Sequence, residues 1–258
     1  MKKRYAIITD IHGNLEGLNA ILDDIKLKQV DDIYCLGDTI DIGVNSKECL
    51  NRLEELNIKT ILGNHELYLL RGTDIEPTIV EEEKKHYEWV KESLTDKEID
   101  FIKSCALFYE IKIDYDDKIP SKKIILCHYL IKNEKLNQPF EENHLKKDIN
   151  LWIKYNNPNI TYVIGHLHKS FNINEVEGIS GNYIEKIGEL TNIEIVDSAG
   201  CSYDDYVSYM ILDIGKSISF TKMKVKFDRE RFIDKLNKTN FPDKKNIMKY
   251  FYGIDIDE

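Results

Sequence analysis

Five short runs of strand-forming residues in this chain each end at once in side chains of the kind that bind metals. Tyr5-Ala6-Ile7-Ile8 leads to Asp10 and His12, and Ile33-Tyr34-Cys35-Leu36 leads to Asp38 and Asp41. Residues 58–62 lead to Asn64 and His65, residues 123–127 to His128, and Thr161-Tyr162-Val163-Ile164 to His166 and His168. A fold for this chain has to bring those strand ends to one place. Of the seven histidines, five fall in these stretches, and only His86 and His144 lie outside.

The order of the elements says how the ends meet. The first strand, residues 4–9, is continuously apolar, the pattern of a strand buried on both faces. Asp10 and His12 stand one residue apart, so in extended chain they project to the same side. Gly13 permits a sharp turn, Asn14 suits a helix N-cap, and Leu15, Leu18, Ile21, Leu22 and Ile25 form a helical stripe. A second strand, about 32–36, is followed by an Asn45…Glu48 capping box and a helix through Leu50, Leu53 and Leu56. Strand and helix in alternation predict an α/β fold with a parallel portion, in which ligands gather beyond the carboxyl ends of the strands. The motifs lie at those ends.

Residues 66–106 read as a helical insertion over the site, with the charge run Glu81-Glu82-Glu83-Lys84-Lys85 as a solvated helix face and Thr95…Glu98 as a capping box. Strands are predicted at 107–113 and 123–127, and Asp114–Asp117 reads as a turn. A helix from Pro139 carries Leu145, Ile149 and Trp152. Beyond residue 168 the chain turns β-rich, at about 183–187, 193–196, 206–213 and 217–227, with turns at Gly181-Asn182 and Gly215-Lys216. Two short helices broken at Pro242 close the chain. The 258 residues, with no linker or repeat, are read as one domain.

A formal net charge of −10 disfavours broad nucleic-acid binding, which needs Lys and Arg to neutralise phosphates. No apolar run is long enough to span a bilayer. The apolar run after Met1-Lys2-Lys3-Arg4 is too short for a secretory signal, so a cytoplasmic location is expected. Five cysteines without C-x-x-C spacing read as buried free thiols. Oxygen and imidazole donors without thiolates suit Mn, Fe, Zn or Ni, and two adjacent cations account for the set economically.

Asp10-x-His12, Gly37-Asp38-x-x-Asp41, Gly63-Asn64-His65-Glu66, His128 and Gly165-His166-x-His168 together resemble the ordered motif set of the calcineurin-like metallophosphoesterases, in their small bacterial and archaeal branch. Asp197-Ser198-Ala199-Gly200 and Ser208–Asp213 resemble that branch's closing strands. The resemblance implies a four-layer α-β-β-α sandwich of two mixed β-sheets flanked by helices. It implies one metal held by Asp10, His12, Asp38 and His168, and a second by Asp38, Asn64, His128 and His166, with Asp38 bridging and manganese the leading choice. It further implies attack on a phosphodiester or phosphomonoester of a small metabolite or nucleotide by a metal-bridging hydroxide. His65 then protonates the leaving oxygen and Asp41 orients His65, although Asp41 also suits a turn, and Glu66 reads more simply as a helix N-terminal charge.

Two branches of the family follow the second aspartate with Arg-Gly, whereas this chain has Asp41-Ile42-Gly43. That departure weakens the protein Ser/Thr phosphatase reading. Dinucleoside polyphosphate hydrolysis or protein phosphatase activity is the alternative, motivated by Gly63-Asn64-His65-Glu66 and Asp41. Arg52 or Arg71 would have to substitute, although an arginine in a helical run is more often solvated. A non-enzymatic scaffold on the same fold is a further alternative, and it calls for a missing ligand that this sequence does not show.

Overall fold

The computed structural model describes residues 2–76, 78–114, 121–130, 157–169 and 192–256. It has a mixed α/β fold of two mixed sheets flanked by helices. The first half contains β1 (Lys3–Ile8), α1 (Leu15–Lys26), β2 (Asp32–Cys35), α2 (Ser46–Glu55) and the short β3 (Lys59–Thr60). Helices α3 (Asn64–Arg71), α4 (Glu81–Ser93) and α5 (Asp96–Ser104) follow. Then come β4 (Phe108–Ile113), β5 (Lys122–Cys127), β6 (Ile160–Ile164), β7 (Ile193–Ile195), β8 (Tyr206–Ile214) and β9 (Ile218–Lys226), and finally α6 (Arg229–Lys238) and α7 (Lys244–Tyr252).

One sheet has the order β3-β2-β1-β8-β9 and the other β4-β5-β6-β7. In each, three consecutive strands run parallel, β1 with β2 and β3, and β5 with β6 and β7. The antiparallel partners β8, β9 and β4 complete the edges.

Side-chain alternation along the strands separates two cores. Ala6 and Ile8 of β1, with Val207, Tyr209 and Ile211 of β8, pack in the cluster that holds Leu18, Ile21 and Leu22 of α1 and Phe232 and Met248 of the last two helices. Ile7, Met210, Leu212 and Ile214 point the other way, into a cluster with Ile124, Leu126 and Val163 of the second sheet. A strand with a core on each face has no polar side to show, which explains the unbroken apolar run that opens the chain. A third cluster of Ile40, Leu50, Leu69, Val90 and Ile102 joins α3, α4 and α5 to α2 and the Asp38 loop.

Asn14 caps α1 as read, accepting from Gly17 N at 2.8 Å. Thr95 and Glu98 form their capping box, with Thr95 N donating to Glu98 Oε2 at 2.9 Å. The box at Asn45 and Glu48 does not form: Asn45 stands at the N-cap of α2 without a capping bond, and its Oδ1 accepts from Lys235 Nζ at 3.2 Å instead. The hairpin at Gly215-Lys216 and the break at Pro242 stand where the sequence puts them. All five cysteines are free, but only Cys35 and Cys49 are buried; Cys105, Cys127 and Cys201 are half-buried. The turn at 114–117 beyond Asp114, the Pro139 helix, the turn at 181–182 and the strand at 183–187 lie outside the described residues. No helix among the described residues is long and apolar enough to cross a membrane.

The 197–200 loop presses against the first ligand loop, with Ala199 N donating to Thr9 O at 2.8 Å. A Cβ on Gly200 would stand 1.8 Å from Ile11 O, so only glycine allows this approach. Gly200→Ala is expected to destabilise the protein by about 2 kcal/mol or more, the scale of core overpacking, read as a lowered urea midpoint at unchanged m-value.

Candidate functional site

The loops after β2, β3 and β6 open onto one cleft, and the loops after β1 and β5 bring Asp10, His12 and His128, all buried, up behind it. The loops there are tied by their backbones. Asp10 N donates to Gly37 O at 3.0 Å, His12 N to Asp38 O at 2.9 Å, and Gly165 N to His128 O at 3.0 Å. His166 N donates to both oxygens of Asp10, at 3.1 and 3.0 Å, which stitches the first sheet to the second.

Asp10 and His12 do not converge by lying on one side of an extended strand. Both have left-handed backbone, φ 51° and 46°, as do Asp38, Asp41, His166 and His168. Non-glycine residues take this conformation at a cost that the surroundings must offset, and such strain collects at functional sites. Here the loops of Asp10, Asp38 and His166 turn sharply as they leave their strands, and that turn aims the side chains; Asn64 and His128 have no such turn.

All seven sequence-predicted ligand residues meet. His12 Nε2 lies 3.0 Å from His168 Nε2, 3.8 Å from Asp38 Oδ2 and 4.0 Å from Asp10 Oδ1. His168 Nε2 is 3.7 Å from Asp10 Oδ1. On the other side His128 Nε2 is 3.0 Å from both Asp38 Oδ2 and Asn64 Oδ1, and His166 Nδ1 is 2.9 Å from Asn64 Oδ1. Asp38 belongs to both groups. Cys201 offers its sulfur beside His12 and His168, the three donor atoms lying within 4.8 Å of one another.

The hydrogen bonds fix what these atoms present. His12 Nδ1 faces Ile40 O at 3.1 Å and His128 Nδ1 faces Leu36 O at 2.6 Å. A carbonyl only accepts, so each Nδ1 carries the proton, and in the neutral ring each Nε2 is left with a lone pair. Those lone pairs point at carboxylate, amide and imidazole acceptors. Acceptors packed against acceptors out of water need a cation between them, a metal ion or, at His128, a proton on the ring that Asp38 stabilises. Carbonyl-anchored imidazoles with carboxylates are the donor chemistry of a first-row metal site, so the residues fit the ions expected from the sequence.

Electrostatics carries the same strain. Burial and the neighbouring Asp38 charge push the Asp10 carboxyl up to about 7. Burial, with His65 nearby, lowers His12 to about 3 and moves His168 in the same direction. Burial also works against the charged forms of His65 and His128, but Asp38 and the hydrogen bonds to each ring outweigh it and raise both to about 9.

His65 is set apart from the others. Its Nδ1 is 2.6 Å from Asp41 Oδ2, its backbone N donates to Asp38 Oδ1 at 3.0 Å, and its ring is 16% exposed where Asp38 is 1% exposed. The ring therefore reaches the cleft, with Nε2 3.8 Å from Asp38 Oδ2. That cleft encloses about 330 Å³, walled by Tyr68, Tyr87, Phe251 and Ile247 and bordered by Glu76 and Glu83. Arg52 is not in it and pairs with Glu55 on its own helix. Arg71, at the end of α3, does not line it either.

The family model for calcineurin-like phosphoesterases matches residues 3–216. The chain belongs to this family. It is similar over 251 residues, at 28% identity, to the uncharacterized protein MJ0912 of Methanocaldococcus jannaschii, a match spanning 94% of this chain and 96% of that one. A symmetrical bis(5'-nucleosyl)-tetraphosphatase of Actinobacillus pleuropneumoniae is 37% identical over 67 residues, 25% of each chain. The crystal structure of a metallophosphoesterase from Sphaerobacter thermophilus superposes with a TM-score of 0.67 at 18% identity, covering 98% of this chain and 100% of that one, so the fold is shared. This calcineurin-like phosphoesterase is thus a hydrolase of phosphate esters, from a metal-dependent family.

Two residues do more in this phosphoesterase than the sequence suggests. Glu66 does sit in the first turn of α3, but it is 2% exposed and its carboxylate gathers four backbone N–H groups. Oε2 accepts from Gly63 N at 2.8 Å and Asp38 N at 2.9 Å, and Oε1 from Thr39 N at 2.7 Å and Ile40 N at 3.3 Å. Glu66 thereby holds the Asp38 loop in shape. The capping pattern signals its bond to Gly63, but nothing local signals a loop so distant in sequence. His86 is the other, a buried ring on α4 whose Nε2 lies 3.0 Å from Asp41 Oδ1. Replacing Glu66 by alanine strands several buried donors, and Glu66→Ala is expected to cost about 3 kcal/mol or more in urea unfolding, with a smaller loss for Glu66→Gln.

Proposed function

We propose that this phosphoesterase hydrolyses a phosphodiester or phosphomonoester of a small metabolite or nucleotide with the help of two metal ions, manganese first among the candidates. Asp10, His12, Asp38 and His168 are assigned to one ion, and Asp38, Asn64, His128 and His166 to the other. The observation that carries this reading is His128, whose Nδ1 is committed to Leu36 O while its Nε2 points between Asp38 Oδ2 and Asn64 Oδ1. When bound, such an ion pair polarises the phosphoryl oxygens and makes water acidic enough to act as a nucleophile near neutral pH.

The chain's own groups do the rest. Asp10 holds the His166 loop through its backbone N–H, Asp38 faces the His128 ring at 3.0 Å, and Glu66 fixes the loop that carries Asp38. His65 lines the cleft and gives its Nε2 proton to the departing alkoxide, the role of a general acid. Asp41 Oδ2 accepts from Nδ1, which keeps the ring in one orientation and stabilises its protonated form. Tyr68, Tyr87 and Phe251 offer aromatic faces to the leaving group.

A dinucleoside polyphosphate hydrolase is the second reading, supported by the short stretch of similarity to the tetraphosphatase. The cleft favours the first reading, because among the described residues its lining includes Glu76, Glu83 and Asp243 and no lysine or arginine. A chain of four phosphates is repelled by such a wall, whereas one phosphoryl group held at the metals is not. No ligand residue or acid is missing, which counts against a scaffold role.

Three outcomes are expected. Asp38→Asn lowers kcat/KM by roughly a thousandfold, corresponding to several kcal/mol of charge stabilisation, and lowers the metal bound per chain as measured by plasma mass spectrometry; full activity after chelation overturns the reading. His65→Gln keeps its metal but lowers kcat by about a hundredfold or more, read by steady-state kinetics beside metal content. In a panel of manganese-loaded assays, simple diesters and monoesters turn over faster than diadenosine tetraphosphate, and the reverse order moves the assignment to the second reading.

A further inference from the structure

The α4 helix sends two consecutive side chains to the Asp41–His65 pair. Tyr87 Oη lies 2.8 Å from His65 Nδ1, on the edge of the ring that Asp41 also holds. His86 approaches Asp41 from the far side, its Nε2 3.0 Å from Oδ1, at ion-pair distance though off the ideal hydrogen-bond line. Neither of those two atoms has another hydrogen-bond partner among the described residues. Asp41 is thus flanked by two imidazoles, one for each oxygen.

The rest of His86 explains why it points there. Its Nδ1 is 3.0 Å from Pro242 O, a carbonyl that can only accept, so this nitrogen donates. Nε2 then holds the Asp41 carboxylate only by carrying the ring's second proton, which makes the contact an ion pair of imidazolium and carboxylate. The ring stacks on Trp89 with centroids 5.5 Å apart and meets Phe241 edge-on, also at 5.5 Å. The residue is 2% exposed. An apolar side chain suits such a slot better unless the imidazole has work for both nitrogens, since a buried polar edge without a partner is costly. The second nitrogen meets nothing but the carboxylate of Asp41.

We propose that His86 is a positioning residue for general-acid catalysis: held between α4 and the Pro242 turn, it fixes the Asp41 carboxylate so that Oδ2 stays on His65 Nδ1. The helical segment between β3 and β4 is then part of the catalytic machinery as well as a wall of the cleft. This inference rests on the phosphoesterase reading for its kinetic consequence and on geometry alone for its structural one.

The test uses the metal-loaded full chain, the phenyl and 4-nitrophenyl esters of the same phosphate, and the variants His86→Phe and His86→Gln. Phenylalanine keeps the stack on Trp89 and removes both nitrogens, while glutamine retains an N–H that can reach Asp41. A leaving group that departs readily as an anion needs little help from an acid. His86→Phe is therefore expected to slow the phenyl ester roughly tenfold, a fraction of what a general acid supplies, and to leave the 4-nitrophenyl ester within about twofold. His86→Gln is expected to recover most of the loss, and His86→Phe added to Asp41→Asn to slow the enzyme no further, because residues acting as one unit are not additive. Equal loss on both esters, or full additivity with Asp41→Asn, overturns the proposal.

A second readout is independent of turnover. The short bond from His65 Nδ1 to Asp41 gives a low-field imidazole N–H proton signal, absent in Asp41→Asn. It is expected to broaden or shift in His86→Phe and to persist in His86→Gln; an unchanged signal in His86→Phe overturns the role of His86. Failure of the wild-type enzyme to hydrolyse either ester counts against the substrate reading, while the proton signal still decides this one.

Discussion

Asp38 is a carboxylate almost wholly removed from water and faced by three imidazoles, with His128 at 3.0 Å and His12 and His65 at 3.8 Å. Folding has to meet that charge, because a buried carboxylate without compensation is among the costliest groups a protein can carry. The chain meets it from several directions. Glu66 collects the N–H groups of the loop so that the turn around Asp38 keeps its shape, and His65 N donates to Asp38 Oδ1. The imidazoles around it are anchored at their other nitrogens by Leu36 O, Ile40 O and Asp41. The Nε2 atoms of His12 and His128 and the oxygens of Asp38 and Asn64 are left aimed at common points, the arrangement that supports the proposed metal assignment.

The sheets make this possible by division of labour. Parallel strands deliver their carboxyl ends to one side, and two such sets, one per sheet, are joined face to face by the core of Ile7, Met210, Leu126 and Val163. Strand geometry alone leaves most of the side chains misdirected, so at Asp10, His12, Asp38, His166 and His168 the last step falls to single residues with left-handed backbone. Rigid strands supply the distance between loops, and those turns supply the aim.

Much of this was legible from the chain itself. Apolar runs that stop at Asp10, Asp38, Asn64, His128 and His166 mark both the parallel strands and the site, because in an α/β fold the two share a location. What stayed hidden depends on contacts between distant segments. His86 looks like an unremarkable residue next to a solvated charge run, and only the fold brings it to Asp41. Glu66 announces a helix start, while its hold on Thr39 and Ile40 cannot be read from any spacing. Asn45 shows the converse: its local pattern promises a cap, and Lys235 from α6 takes the oxygen instead. Strand alternation does not govern Asp10 and His12 for a related reason, since both lie past the end of β1 in left-handed backbone.

The site straddles two sheets. Asp10, His12, Asp38 and Asn64 come from loops of the five-stranded sheet, and His128, His166 and His168 from those of the four-stranded one. On the metal assignment each ion takes ligands from both, and so acts as a rivet through the seam of the sandwich. Its binding free energy then adds to the cohesion between the layers, by the linkage that favours any state a ligand prefers. On that assignment catalyst and fastener become the same atoms.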